Sequence, residues 1–323
     1  MRGRVSLEVL VGPEDRRAAL CRDVTEGLQA RPKALPPVWF YDETGSRLFE
    51  AITELPEYHL TRAERQILDA EARRIAAASR AESLVELGSG TSEKTRLLLD
   101  ALAEQGSLRQ VVLLDIAAEV LAEAAEALAD RYGVAVHGVV GDFRQHLENV
   151  RGEGRQLWCF LGSTIGNLLP AERARFLATV AGQLGAGDHF LLGTDLCRDP
   201  ERLALAYDDP KGLTAAFNRN LLHVLNRELH ADFDPEAFAH EARWRAPEGW
   251  VEMRLVAEEA QAVRVADLGL EVTFEAGEAL RTEVSTKFRA AQVAEELVAA
   301  GLVPCAAATD PAGDFQLTLA QPV

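Results

Sequence analysis

The stretch Leu84-Val85-Glu86-Leu87-Gly88-Ser89-Gly90-Thr91-Ser92-Glu93-Lys94-Thr95 constrains the chain more than any other. A short apolar run ends at an acid, bends through two glycines and passes into the helix-periodic Leu97, Leu98, Leu99 and Leu102. A strand, tight turn and helix of this kind aim the free N–H groups of the helix start at whatever occupies the turn, and glycine lets the backbone come close to it. A full dinucleotide pattern carries a third glycine opening the helix. Here Ser92 and Glu93 stand near that position, which disfavours a pyrophosphate.

The pattern then alternates. Apolar strands are expected at 84–87, 110–114, 134–140, 157–161 and 189–193, with helices at 92–104, 117–130 and 170–184. Continuous apolar strands between amphipathic helices imply a parallel sheet covered on both faces, a doubly wound α/β domain. Residues 198–286 break the pattern, with a helical stretch at 213–229 and candidate strands at 241–245, 251–257, 262–266 and 271–274. It resumes with a helix at 287–299 and strands at 302–307 and 315–319. One domain is therefore expected over 63–197 plus 287–323, and a second, α+β domain over 1–62 plus 198–286. In the N-terminal part a helix is expected from 14 to about 30, then one capped by Ser46, then one opened by the capping box Thr61-Arg62-Ala63-Glu64.

Composition narrows the function. With 48% hydrophobic residues in 323 the chain has ample core, yet it has no apolar stretch long enough to span a bilayer, and Met1-Arg2-Gly3-Arg4-Val5 lacks a signal-peptide core. A cytoplasmic protein without a membrane partner is expected, acting as a monomer. The net charge of -17, with no basic run, disfavours nucleic acid. Cys21, Cys159, Cys197 and Cys305 are far apart and none keeps metal-ligand spacing with the histidines, so reduced thiols and no metal are expected.

In an open parallel sheet the ligand lies beyond the carboxyl ends of the strands. The second strand ends in Asp115, 25 residues after Gly90, where a carboxylate accepts from both hydroxyls of a ribose. The third ends in Gly141-Asp142-Phe143, an acid for an exocyclic amine and an aromatic face for a base. The fourth ends in Gly162-Ser163-Thr164-Ile165-Gly166-Asn167. One acid at a strand end is often only a turn residue, but these ends in register describe an adenosine site with a turn fitted to an amino-acid tail. S-adenosylmethionine fits that description better than a nicotinamide cofactor. Three of the four tyrosines, Tyr41, Tyr58 and Tyr207, fall outside the α/β core, which suggests a polar pocket there, because buried tyrosine usually keeps a hydroxyl partner.

Those blocks, with Pro36-Pro37-Val38-Trp39-Phe40-Tyr41-Asp42, Leu55-Pro56-Glu57-Tyr58 and Thr282-Glu283-Val284-Ser285, carry a resemblance. The chain resembles, over nearly its whole length, the histidine Nα-methyltransferases of ergothioneine biosynthesis, which use S-adenosylmethionine to trimethylate the α-amine of L-histidine to hercynine. The resemblance implies a Rossmann-like class I methyltransferase domain with a second, substrate-binding domain. It implies that Gly88, Lys94, Asp115, Asp142 and Phe143 hold the methyl donor. Asn167 and Tyr207 would hold the histidine carboxylate, with Tyr58 lining the same pocket, and Tyr41 would lie near the amine as the catalytic residue. Glu283 and Ser285 would bind the imidazole, with Met253 packed on the ring. The preference for histidine over another amino acid or small amine rests chiefly on Glu283 and Met253.

Overall fold

The computed structural model describes residues 3–323; Met1 and Arg2, which open the N-terminal segment, lie outside them. The chain divides into two compact units: residues 3–11, Leu60–Cys197 and Phe288–Val323 in one, and Gly12–His59 with Arg198–Lys287 in the other.

The first unit is an eight-stranded sheet in the order Val5–Val9, Ala135–Val140, Gln110–Asp115, Ser83–Leu87, Gln156–Phe160, His189–Asp195, Phe315–Pro322, Leu302–Thr309. The pairings through His189–Asp195 are parallel, and the last two strands run antiparallel. The chain builds outward from Ser83–Leu87 to Ala135–Val140, then returns to lay Gln156–Phe160 against the other side of Ser83–Leu87. That reversal opens a crevice at the strand tips, and the glycine turn sits there.

The central strands are apolar without alternation because helices cover both faces. Leu84, Val85, Val111, Val112, Leu113, Leu157, Trp158 and Phe160 are all buried. Sheet-facing residues of Pro170–Gln183 and Ala290–Ala299, such as Phe176, Leu177, Val293 and Leu297, join the same core. The doubly wound α/β class read from the sequence is the one observed.

Several local readings need correction. Residues 1–62 do not all belong with the insertion, since Val5–Val9 pairs in parallel with Ala135–Val140 on the edge of the large sheet. Lys287 falls in the second unit, because its N–H bonds the carbonyl of Gly249 and the helix begins only at Ala290. The helix expected from 92 begins at Arg96, because Ser92 holds a left-handed φ of 54° that no helix accepts. Asp42, not Ser46, caps Glu43–Thr53 by accepting from the N–H of Gly45 at 2.8 Å. Thr61 lies inside Leu60–Ser79, and Glu64 turns its carboxylate away from that helix's own backbone.

The second unit is α+β. A four-stranded sheet runs in the order Lys33–Ala34, Ala279–Thr286, Trp250–Ala257, Phe238–Arg245, beside the hairpin of Gln261–Val265 with Leu270–Phe274. The helix Leu213–Leu229 packs on Glu43–Thr53, with Phe217 4.6 Å from Phe40 between ring centroids. Pro200–Tyr207 was not foreseen. It starts at Asp199, whose side chain accepts from the N–H groups of Glu201 and Arg202, with Pro200 at the first helical position.

Candidate active site

At the tips of the large sheet a continuous set of bonds shapes the glycine turn. Gly88 and Ser89 donate backbone N–H bonds to the Leu114 carbonyl at 2.8 and 3.2 Å, and Gly141 donates to that of Asp115 at 2.9 Å. The Asp115 carboxylate accepts from the N–H of Gly90 at 2.8 Å and of Ala117 at 2.9 Å. Burial raises its pKa, and these backbone donors oppose that rise. Gly88 and Gly90 hold φ of +69° and +49°, and a Cβ built on either would meet no heavy atom within 4 Å. Between them the buried hydroxyl of Ser89 has no hydrogen-bond partner. A bare, left-handed turn with an orphaned hydroxyl fits a polar ligand laid against it, and these residues therefore fit S-adenosylmethionine.

The other sheet-unit residues surround that turn. Lys94 places its ammonium on the carboxylate of Glu64, whose second oxygen accepts from the N–H of Gly162 at 2.8 Å. Asp142 is buried, and both of its oxygens receive the Arg144 guanidinium, the shortest bond being 2.7 Å. Phe143 stands edge-on to Phe160 and Phe176, at 5.1 and 5.9 Å. Asn167 ends a short 3₁₀ turn that follows two left-handed residues, Gly162 and Ser163, the latter held by the N–H of Asp195 donating to its hydroxyl at 3.0 Å.

Glu86, the acid that ends the apolar run, is a titrating group at the root of the turn. Burial pushes its pKa up to about 7, while hydrogen bonds from Thr95 and Ser92 work against that shift. The folded chain thus holds this proton more tightly than the unfolded chain, where the carboxyl titrates near 4.5. Stability from this group is full below the unfolded value and declines as pH rises toward the folded one. We expect the wild-type chain to lose about 3 kcal/mol relative to Glu86→Gln between pH 4.5 and 7. Urea unfolding of both proteins across that range measures it, and parallel pH profiles would discard the assignment.

In the second unit the aromatic residues form a chain of ring contacts. Tyr41 stands edge-on to Phe49 and Phe217, each at 5.6 Å. Phe49 meets Tyr58 at 6.3 Å, and Tyr58 meets Tyr207 at 6.5 Å. The hydroxyl of Tyr207 lies 2.8 Å from that of Ser285. Tyr58 and Tyr207 are buried.

Ser285 and Glu283 lie on Ala279–Thr286, where pairing with Trp250–Ala257 slips between Arg281 and Glu283. The hydroxyl of the bulged Thr282 donates to the side-chain oxygen of Asn218 at 2.6 Å and lies 3.0 Å from the Met253 carbonyl. One extra residue moves every later side chain to the opposite face. Glu283 consequently lies directly opposite Met253, and Ser285 opposite Val251, on one face. Asn218 also donates to Nδ1 of His240 at 2.8 Å, which leaves Nε2–H to donate to the Tyr207 carbonyl at 2.8 Å. Burial lowers the His240 pKa, consistent with a neutral ring in that tautomer.

The structure thus brings Tyr41, Tyr58, Tyr207 and Ser285 into one contact chain and sets Glu283 against Met253, all in the second unit. Gly88, Lys94, Asp115, Asp142, Phe143 and Asn167 occupy the strand tips of the first. Sequence reasoning missed Glu64, Ser89, Asn218, His240 and Lys287. Two of them left a local signal: Ser89 stands between the two glycines of the turn, and Lys287 follows Glu283 and Ser285 at the strand period of two.

Comparison with known proteins identifies the family. A family model described as histidine-specific methyltransferase, SAM-dependent, matches residues 20–322. The histidine N-alpha-methyltransferase of Mycobacterium tuberculosis is 56% identical over 98% of this chain and 99% of its own length. That of Mycolicibacterium smegmatis is 55% identical over the same shares. A 4-dimethylallyltryptophan N-methyltransferase of Aspergillus fumigatus is 31% identical over 57% of this chain and 58% of its own length.

Proposed function

Because this chain belongs to the histidine-specific, S-adenosylmethionine-dependent methyltransferase family, we propose that it trimethylates the α-amine of L-histidine to hercynine, a step of ergothioneine biosynthesis. The sheet unit binds the methyl donor and the second unit grips the amino acid. The enzyme acts as a cytoplasmic monomer on small molecules, and not on nucleic acid or a membrane. The observation that carries the reading is the Glu283 carboxylate set opposite Met253, with Ser285 two residues along the same strand. An acceptor, an apolar contact and a hydroxyl at that spacing suit an imidazole ring.

The donor would supply a methyl group on a sulfonium: the lone pair of the neutral amine forms the N–C bond in line as the C–S bond breaks, and the sulfur leaves with that electron pair as a neutral thioether. Gly88 and Gly90 give the donor bare backbone, Asp115 accepts from its ribose, and Asp142 and Phe143 meet its base once Arg144 yields the Asp142 oxygens. Lys94 pairs with its carboxylate from the position that Glu64 fixes. The amine must shed a proton before each transfer, and the Tyr41 hydroxyl receives it for relay to water. Edge contacts with Phe49 and Phe217 hold the Tyr41 ring in place. After the transfers the nitrogen is a cation without N–H donors, and the faces of Tyr41, Tyr58 and Phe49 suit it.

Mass spectrometry of the product from histidine and S-adenosylmethionine tests the proposal, with tryptophan and other amino acids in parallel. Hercynine is expected, and methylation of another amino acid in preference would instead favour a relative with a different substrate. Glu283→Ala is expected to weaken histidine binding about 10- to 100-fold, since it removes a charged acceptor from a ring N–H. Calorimetry should find S-adenosylmethionine binding unchanged in that variant, and equal loss of both ligands would contradict the role.

A further inference from the structure

Lys287 is fully buried, and the assignments above leave it without a part. Its ammonium donates to the Tyr207 hydroxyl at 2.6 Å and to that of Ser285 at 3.0 Å, and these hydroxyls lie 2.8 Å from each other. The ammonium also stands 4.5 Å from the centre of the Tyr207 ring. Three polar centres thus close a triangle among residues spread from 207 to 287.

The proton count of that triangle is restrictive. Lys287 only donates, so each hydroxyl oxygen spends a lone pair on it. The two hydroxyls carry one proton each, and one of these crosses the triangle to the other oxygen. A single O–H is therefore directed outward. If Ser285 donates across, Tyr207 donates out, and the acceptor it meets lies one hydroxyl away from a buried positive charge.

We propose that Lys287 is a positioning residue for substrate recognition, directing the Tyr207 hydroxyl, backed by its own ammonium charge, at the carboxylate of the bound amino acid. This rests on the histidine reading and extends it, since it makes carboxylate recognition depend on a side chain that itself does not touch the substrate. Without the ammonium the Tyr207 oxygen loses the charged donor that holds and polarises its hydroxyl, and the carboxylate loses the field behind that hydroxyl.

The test uses the full-length chain, L-histidine, and L-histidinol, in which an alcohol replaces the carboxylate. Lys287→Met is expected to weaken histidine about 10- to 100-fold, the scale of a charge-assisted hydrogen bond, while changing histidinol less than about threefold. Lys287→Gln, which keeps an N–H donor without the charge, is expected to fall between. Adding Tyr207→Phe to Lys287→Met should cost little more, because the two act through one contact. Equal losses for histidine and histidinol would mark a merely structural lysine and overturn the proposal, as would unchanged histidine affinity. If Lys287→Met fails to melt cooperatively, the same comparison on Lys287→Gln decides. A wild-type chain that binds histidine no better than histidinol refutes carboxylate recognition itself, whereas one that binds neither refutes the histidine reading with it.

Discussion

Asp115→Ala is expected to lower the affinity for S-adenosylmethionine between a hundredfold and ten-thousandfold, roughly 3–6 kcal/mol, because the two charge-assisted bonds to the ribose that we propose for it would be lost together. The carboxylate also shapes the turn, since its two oxygens take the N–H groups of Gly90 and Ala117. Removing it leaves both donors without their acceptor and loosens the loop that the ligand lies against. Asp115→Asn keeps one acceptor oxygen and replaces the other with a donor, so it should fall between alanine and wild type. Calorimetry with S-adenosylmethionine and its demethylated product measures the losses, and the product should suffer equally because the ribose is common to both. A loss below threefold in Asp115→Ala would move the ribose elsewhere.

What the sequence disclosed and what it hid divide along a physical line. The buried strands announced themselves because both of their faces are covered, so apolar runs such as Val111 to Leu114 have no polar interruption. The edge strand Val5–Val9 did not. Val5-Ser6-Leu7-Glu8-Val9 alternates with a strand's period, but the run is short and four of its five residues are exposed, including Leu7 and Val9, so it lacks the continuous apolar run of the buried strands. The strand that carries Glu283 and Ser285 was also overlooked as a strand, and for a more instructive reason. Its only large apolar residues are Leu280 and Val284, too sparse among Arg281, Thr282 and Glu283 to stand out, and the bulge at Thr282 that brings Glu283 and Ser285 onto the Met253 face is a matter of pairing that the sequence does not show.

Most residues proposed to touch ligand sit at strand ends or within compact blocks, whereas the roles of Tyr207 and Met253 were reached only through the family resemblance. The supports of these residues were not legible. Glu64 meets Gly162 across 98 positions and Lys287 meets Tyr207 across 80, and contacts of that span leave no local pattern. Glu64 was even open to a plausible local explanation as a capping residue, which its tertiary partners override.

Those partners make Glu64→Ala the most disruptive substitution expected for the stability of the sheet unit. The Glu64 side chain has 0% exposure, while that of Lys94 keeps 26%. Breaking a buried ion pair from one side typically costs about 3–5 kcal/mol, since the remaining charge stays where water cannot reach it fully. Lys94 has some access to solvent, which argues for the lower end. The Gly162 N–H has no such escape, because it follows a buried strand and opens a left-handed turn. Glu64→Gln keeps an acceptor for Gly162 and surrenders only the charge, so it should cost about 1–2 kcal/mol. Urea unfolding gives both values, and Lys94→Met in the Glu64→Ala background should cost less than the sum of the single changes. If the two changes add, the carboxylate and the ammonium act separately, and Glu64 does not fix the lysine proposed to meet the methyl donor. If they couple, S-adenosylmethionine affinity should fall in Glu64→Ala by as much as in Lys94→Met, since each variant deprives the ligand of the same positioned charge.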